Sequence, residues 1–400
     1  MEDTDQKQQN TIGRRAFVGG IIPVLAAATV PAWAAKSELL PPPVSVAGTF
    51  PGLITREKEP LNLEFPFPTL QDRITPNNQF FIRSHFSIPK IDAASWKLTI
   101  GGEVRQEISF SYEDIKKMPV KTVMATIECA GNGRANLVPK VKGLGWEQGG
   151  VGTANWTGVP LSVLLDKAGI KPGAVELILE GEDQGTITEE PKSPGVIKFS
   201  RSMPISRAQQ SDVIIAYQMN GKALSAEHGF PVRVIVPGWY GMASVKWLTK
   251  ITATATPYDG YWQTLEYAYW KRKAGLPTLT PVTTLQVKAE IARPVLHELL
   301  TAGSTYRVFG AAWVGDSKVS KVEVSADEGK TWNPAKLIDQ PVANAWQLWE
   351  YSWNVPAAAG RYKLMARATD QKGNTQPERH DPDRRNYMVN FMAPVEVEVA

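Results

Sequence analysis

The chain has 400 residues, with 44 basic and 40 acidic side chains and a formal net charge of +4. That mild excess on a large protein excludes a nucleic-acid footprint, which needs clustered basic residues. A single cysteine excludes, within one chain, disulfide frameworks, Cys-x-x-Cys redox pairs, thiolate-rich zinc sites and Cys-x-x-Cys-His haem attachment.

The first element in chain order is a targeting segment. Thr11-Ile12-Gly13-Arg14-Arg15-Ala16-Phe17 carries twin arginines, an apolar run from Val18 to Val30 follows, and Ala32-Trp33-Ala34 fits a small-x-small cleavage site. The run is too short to cross a bilayer, so residues 1–35 are predicted to be a twin-arginine signal peptide cut near Ala34 or Ala35. That route exports folded proteins, and the expected location is the periplasm of a Gram-negative bacterium. Residues 1–35 hold three acidic and three basic side chains, so the remainder keeps the charge of +4. No later run has the length of a membrane span, and one lone thiol suits an oxidising compartment.

Residues 36–70 are rich in proline and lack periodicity, which predicts an ordered arm over the surface. Residues 71–270 mix strands (Trp96 to Ile100, Val175 to Leu179, Val232 to Val236) with short helices. Leu161 to Ala168 has helical spacing and ends at Gly169, a stop signal. From 271 to 400 the pattern alternates. Val322 and Val324 oppose Lys321 and Glu323, Asp327-Glu328-Gly329 turns the chain, and Tyr362, Leu364, Ala366 and Ala368 repeat the arrangement. Short strands at this spacing predict an immunoglobulin-like β-sandwich without the antibody cysteine pair. With 30 prolines, 32 glycines and 13 tryptophans, the fold class is α+β: a mixed, β-rich domain followed by a sandwich.

The lone cysteine lies in Ile127-Glu128-Cys129-Ala130-Gly131-Asn132-Gly133-Arg134, after the apolar run Val123 to Ile127. Its thiol is therefore expected where a strand opens into a loop. A soft thiolate beside an arginine suits a metal ligand or a nucleophile. The ordinary alternative is a small buried hydrophobe.

Several segments resemble the sulfite oxidase family of molybdopterin enzymes. They are the Cys-Ala-Gly-Asn-x-Arg loop itself, Phe80-Phe81-Ile82-Arg83-Ser84-His85, Gly152 to Leu161, Ala216 to Gly221, His228-Gly229-Phe230-Pro231-Val232-Arg233, Pro237-Gly238, and Ser244-Val245-Lys246-Trp247-Leu248. The resemblance runs from about Pro76 to the C-terminus, with Ser84 where the family usually has asparagine. It implies a molybdenum–molybdopterin cofactor with Cys129 as the one protein ligand to the metal. It implies cofactor contacts at Ile82, Arg83, Ser84, His85, Asp183, His228, Arg233, Ser244, Val245 and Lys246. It implies catalytic roles for Arg83, His85, Arg134, Tyr267 and Arg385, the last lent by the second domain, which also carries the homodimer contact.

The implied reaction is oxygen-atom transfer to sulfite, giving sulfate. A dianionic substrate needs fixed positive charge, and arginine offers a planar fork that cannot be neutralised. The Tyr267 phenol can donate to an oxyanion. No haem motif or His-Pro-Gly-Gly signature occurs, so electrons are expected to leave for a separate periplasmic c-type cytochrome. Rival readings are the molybdenum subunit of a thiosulfate-oxidising complex, a sulfoxide or nitrate reductase on the same scaffold, or a secreted binding module.

Overall fold

Among the described residues strands outnumber helices, and many of them alternate buried with more exposed side chains. The computed structural model describes residues 50–400. The twin-arginine segment and cleavage site expected over 1–35, and the first part of the proline-rich arm, lie outside the described residues. No described helix is long and apolar enough to cross a membrane.

The first domain holds two five-stranded sheets. One is antiparallel throughout and runs Lys222–Ala223, Ile214–Met219, Val151–Pro160, Lys121–Glu128, with Arg233–Ile235 also paired to Ile214–Met219. The other runs Ile108–Ser111, Lys97–Gly102, Leu248–Thr254, Glu176–Gly185, Ile197–Pro204. Its Lys97–Gly102 and Leu248–Thr254 strands are parallel. Parallel neighbours need a long crossover, and here the crossover contains the whole first sheet. Segments far apart in sequence are thereby brought to one site.

Among the described residues helices are few and short. Leu161–Ala168 buries Leu161, Leu164, Leu165 and Ala168, the i, i+3, i+4, i+7 stripe of an amphipathic helix. Gly169 ends it at φ +69°, its N–H donating to the Leu165 carbonyl at 2.8 Å. The helix and its stop coincide with the expectation from spacing.

In the C-terminal domain Lys288–Arg293, Thr305–Trp313, Gln347–Asn354 and Lys336–Leu337 form one sheet. Leu299–Leu300, Val395–Val399, Gly360–Asp370, Val319–Ser325 and Asn333–Pro334 form another. Val308, Trp349 and Trp353 from the first share a core with Val322, Val324, Leu364, Ala366 and Val397 from the second. The alternation at Val322 and Val324 thus marks an inward face. A hairpin, Ala268–Lys273 with Leu276–Pro281, precedes this domain.

The expected surface arm is corrected over its described part. Ile54–Glu57 and Asn62–Glu64 form a hairpin, and Asn62, Leu63, Glu64, Phe65 and Phe67 are buried. Glu64 accepts hydrogen bonds from the Gly149 N–H at 2.7 Å and from Arg56. These bonds and the two phenylalanines hold the segment inside the first domain.

Candidate active site

Along Lys121–Glu128 the side chains alternate, so Ile127 and Cys129 join an aromatic cluster with Phe80, Phe81, Trp146 and Trp156 while Glu128 points away from it. The strand ends at Glu128, and in the loop beyond it Gly133 adopts φ +87°, a left-handed position that suits glycine. The Asn132 N–H returns to the Cys129 carbonyl at 2.9 Å and the Cys129 N–H donates to the Gly150 carbonyl at 2.8 Å. The thiol sits in the floor of a cavity, 7% exposed.

That cavity collects side chains from four stretches of chain. Arg83, Ser84 and His85 come from the segment before the first long strand, Asp183 from Glu176–Gly185, His228 and Arg233 from around a tight turn, and Ser244, Val245 and Lys246 from the approach to Leu248–Thr254. Ile82 does not line it. Its side chain enters the hydrophobic core and its backbone pairs with Leu63. Tyr267 closes the cavity near Cys129, its hydroxyl in hydrogen-bond contact with His85 Nε2.

The electrostatics favour an anion. Arg83, Arg233 and Lys246 converge, with Asp183 and Glu227 as carboxylate neighbours. Burial pushes the Lys246 ammonium well down, and the nearby Arg233 and Arg83 charges add to it. Burial lowers Arg233 to about 9. Its Nη atoms donate to the His228 and Ser244 carbonyls at 3.2 and 2.9 Å, while its Nε has no partner. Burial lifts Asp183 to about 6, with Lys246 opposing. Burial lowers His228 to about 3, helped by Lys246 and Arg233, so the ring is neutral. Burial and the charges on Arg83 and Lys246 do the same to His85. Burial works against the Arg83 charge, yet Tyr267 and Cys129 beside it hold its pKa above the ordinary value. A buried excess of cations with an orphaned donor is costly until an anion arrives.

Beyond Cys129 the cavity opens into a funnel of about 680 Å³ whose walls include Arg56, Arg83, Arg134, Lys142, Tyr267 and Tyr387. Arg134 also fastens the cysteine loop, Nε donating to the Asn386 carbonyl and Nη1 to that of Leu144, each at 3.0 Å. Arg385, expected at the site, is corrected: it does not line the funnel. Its Nη1 closes the turn at Leu265 and Ala268, donating to their carbonyls at 3.0 and 2.9 Å, and it lines a separate outer cavity. The C-terminal segment instead contributes Tyr387. Its ring lies 5.1 Å from that of Tyr267 and 5.5 Å from the Arg134 guanidinium, and its hydroxyl donates to Glu266.

Sequence reading missed Tyr387, and also Arg201. Arg201 is buried beneath Tyr267, its guanidinium 6.0 Å from the ring, and donates to the Trp262 and Val282 carbonyls. Neither residue has a local signal. Tyr387 stands two positions after Arg385 and Arg201 lies outside the motif segments, and each acquires its place only through packing.

The family model for an oxidoreductase molybdopterin binding domain matches residues 85–262, and that for a Mo-co oxidoreductase dimerisation domain matches residues 280–399. Fold and site together define a molybdopterin-dependent oxidoreductase. Mitochondrial sulfite oxidase of Rattus norvegicus is 33% identical over 87% of this chain and 66% of its own length. Sulfite oxidase of Gallus gallus is 34% identical over 82% of this chain and 73% of its own length. The crystal structure of the sulfane dehydrogenase SoxCD from Paracoccus pantotrophus superposes with a TM-score of 0.73 at 25% identity, over 94% of this chain and 92% of that one. The chain belongs to the sulfite oxidase family, and it spans about two thirds of the rat enzyme's length.

The residues present fit the family's molybdenum–molybdopterin cofactor. The cationic cavity with its unpaired Arg233 Nε suits a terminal phosphate, and the thiolate of Cys129 suits a soft metal. Among the described residues no group of three metal-ligating His, Cys, Asp or Glu side chains exists.

Proposed function

We propose that this protein oxidises sulfite to sulfate by oxygen-atom transfer and passes the electrons singly to a periplasmic c-type cytochrome. The observation that carries the reading is Cys129 at the junction of a cationic cofactor cavity and a funnel whose wall carries Arg83 and Arg134. When bound, the cofactor supplies the transferable oxygen and takes up two electrons.

The chain's own residues do the rest. Arg83 and Arg134 draw a dianion into the funnel and hold it beside the thiolate, while Arg56 is occupied by Glu64 and Glu147. Burial keeps the Tyr267 phenol protonated, its pKa raised, so it serves as a donor toward an oxyanion. His85, kept neutral, orients that hydroxyl. Lys246, Arg233, His228, Ser84, Ser244 and Asp183 hold the cofactor's polar end. In the same reading the cofactor domain spans 71–270, and the two-sheet domain over 271–400 is an immunoglobulin-like module that pairs two chains. Residues 1–35 direct export to the periplasm.

A second reading, oxidation of a sulfane sulfur, is favoured by the near-complete superposition on the Paracoccus enzyme. The deciding experiment is steady-state reduction of a c-type cytochrome by the purified protein with sulfite or thiosulfate, alongside molybdenum and pterin content. Stoichiometric metal and a sulfite-dependent rate are expected. Turnover with thiosulfate and none with sulfite would select the second reading. Cys129→Ser should keep the fold and lose turnover, because a hard hydroxyl replaces the soft ligand. Wild-type turnover in that variant, with metal still bound, would remove Cys129 from the site.

A further inference from the structure

Glu128, whose side chain leaves the strand on the side opposite the thiol, does not belong to the cavity. It meets Lys288 of the C-terminal domain, 160 positions later, with Nζ and Oε1 3.3 Å apart and each side chain 1% exposed. The Lys288 ammonium also pairs with Glu290 at 3.1 Å and reaches the Asn132 carbonyl at 3.5 Å. Glu128 accepts two more bonds, from Trp313 Nε1 at 2.9 Å and Asn132 Nδ2 at 3.1 Å. Gln148 Nε2 satisfies Glu290 at 2.9 Å. A side chain at Gly133 would begin 3.3 Å from Lys288 Nζ, so the cysteine loop rests directly on the ammonium. On the loop's other side the Met388 N–H donates to the Ala130 carbonyl at 2.8 Å.

A closed ionic cluster this deeply buried is a poor source of net stability, because desolvating the charges offsets most of their attraction. Its geometric effect is firmer. It ties Glu128, which precedes the Cys129–Asn132 turn, and the carbonyl of Asn132, which ends it, to a second domain.

We propose that Lys288 is a positioning residue for the reaction: through Glu128 and the Asn132 carbonyl it sets where the Cys129 thiolate stands against the metal. The C-terminal domain then acts on the metal centre as well as on assembly. The proposal rests on the molybdenum reading above.

The test uses the full chain. Lys288→Met/Glu290→Gln removes one cation and one anion together, so the cluster keeps its single net negative charge, and Glu128, although it loses its ammonium partner, keeps the bonds from Trp313 Nε1 and Asn132 Nδ2. Molybdenum content and KM should stay near wild type, while kcat falls about tenfold or more, as expected for a misplaced reacting centre. The electron paramagnetic resonance signal of the half-reduced metal should shift or split. In cofactor-free protein Cys129 is the sole thiol, and its alkylation by iodoacetamide should accelerate severalfold. Glu128→Gln, which preserves shape and weakens the tie to Lys288, should produce smaller changes of the same kind, and it decides the matter if the double variant fails to fold or load. Wild-type spectrum, kcat and alkylation rate in a folded, loaded variant would overturn the proposal. A wild-type protein without molybdenum would instead overturn the molybdenum reading, and the alkylation rate would still report on the loop.

Discussion

Arg83 bonds to Asn62 Oδ1 and to the Ser84 carbonyl, which aims its guanidinium between Cys129 and Tyr267. If it holds sulfite's charge, Arg83→Gln should raise KM roughly ten- to a hundredfold, the equivalent of about 1.5–3 kcal/mol for a charge-assisted contact. Lysine should restore only part, since a point charge lacks the fork, and added salt should mimic a weaker defect. Kinetic constants within about twofold of wild type, at equal metal content, would make Arg83 structural. His228 offers a test of burial. Its ring is packed edge-on by Phe50 and Phe80, and its Nε2 donates to the Asn77 carbonyl at 3.2 Å. Its folded pKa of about 3 lies below the unfolded value, so the unfolded chain alone takes up the proton as pH falls. The group is neutral in effect above about pH 6.5, then lowers stability by up to roughly 1.4 kcal/mol per pH unit toward pH 3. Asp183 acts oppositely between about 6 and 3.8, because burial raises its folded pKa and acid then favours the folded state. In denaturant titrations of cofactor-free protein, wild type should lose stability relative to His228→Gln as pH drops from 6.5 to 4. A pH-independent difference would contradict the buried neutral ring.

The hairpin Ile54–Glu57 with Asn62–Glu64 meets the site's supporting strands through Gly149 and Gly150. Phe65 N–H donates to the Gly149 carbonyl at 3.1 Å, and the next carbonyl, Gly150, receives the Cys129 N–H. A Cβ at Gly149 would fall 1.6 Å from the Phe65 carbonyl oxygen, whereas one at Gly173 would meet nothing within 4 Å. Gly149→Ala should therefore cost roughly 2–4 kcal/mol and reduce metal retention, while Gly173→Ala stays within about 0.5 kcal/mol. Equal melting temperatures for the two variants would show that the backbone approach yields without cost. The helix Leu161–Ala168 was readable because its stripe and glycine stop are local. The hairpin was not, since proline-rich sequence carries no period and its burial comes from Gly149, some 85 positions away from Glu64.

At the scale of the molecule, the proposed export can be tested apart from catalysis. Replacing Arg14 and Arg15 by lysine should leave precursor in the cytoplasm if the twin arginines direct transport. Normal periplasmic yield from that variant would argue for another route. The sequence by itself determined the chemistry on offer: one thiolate, flanking arginines, and short motif words that each fold as a continuous turn or strand end. Those words are legible because a loop such as Cys129 to Arg134 makes its turn bonds, Asn132 N–H to Cys129 and Arg134 N–H to Gly131, within itself, although distant segments hold it in place. Tertiary structure alone decided which charges are desolvated and against what. It turned Arg385 toward the Leu265 and Ala268 carbonyls, brought Tyr387 to Tyr267, and buried Lys288 against Glu128. An arginine or lysine carries the same charge wherever it stands in the sequence. Its role follows from the partners and solvent around it, and distant segments of this chain supply both.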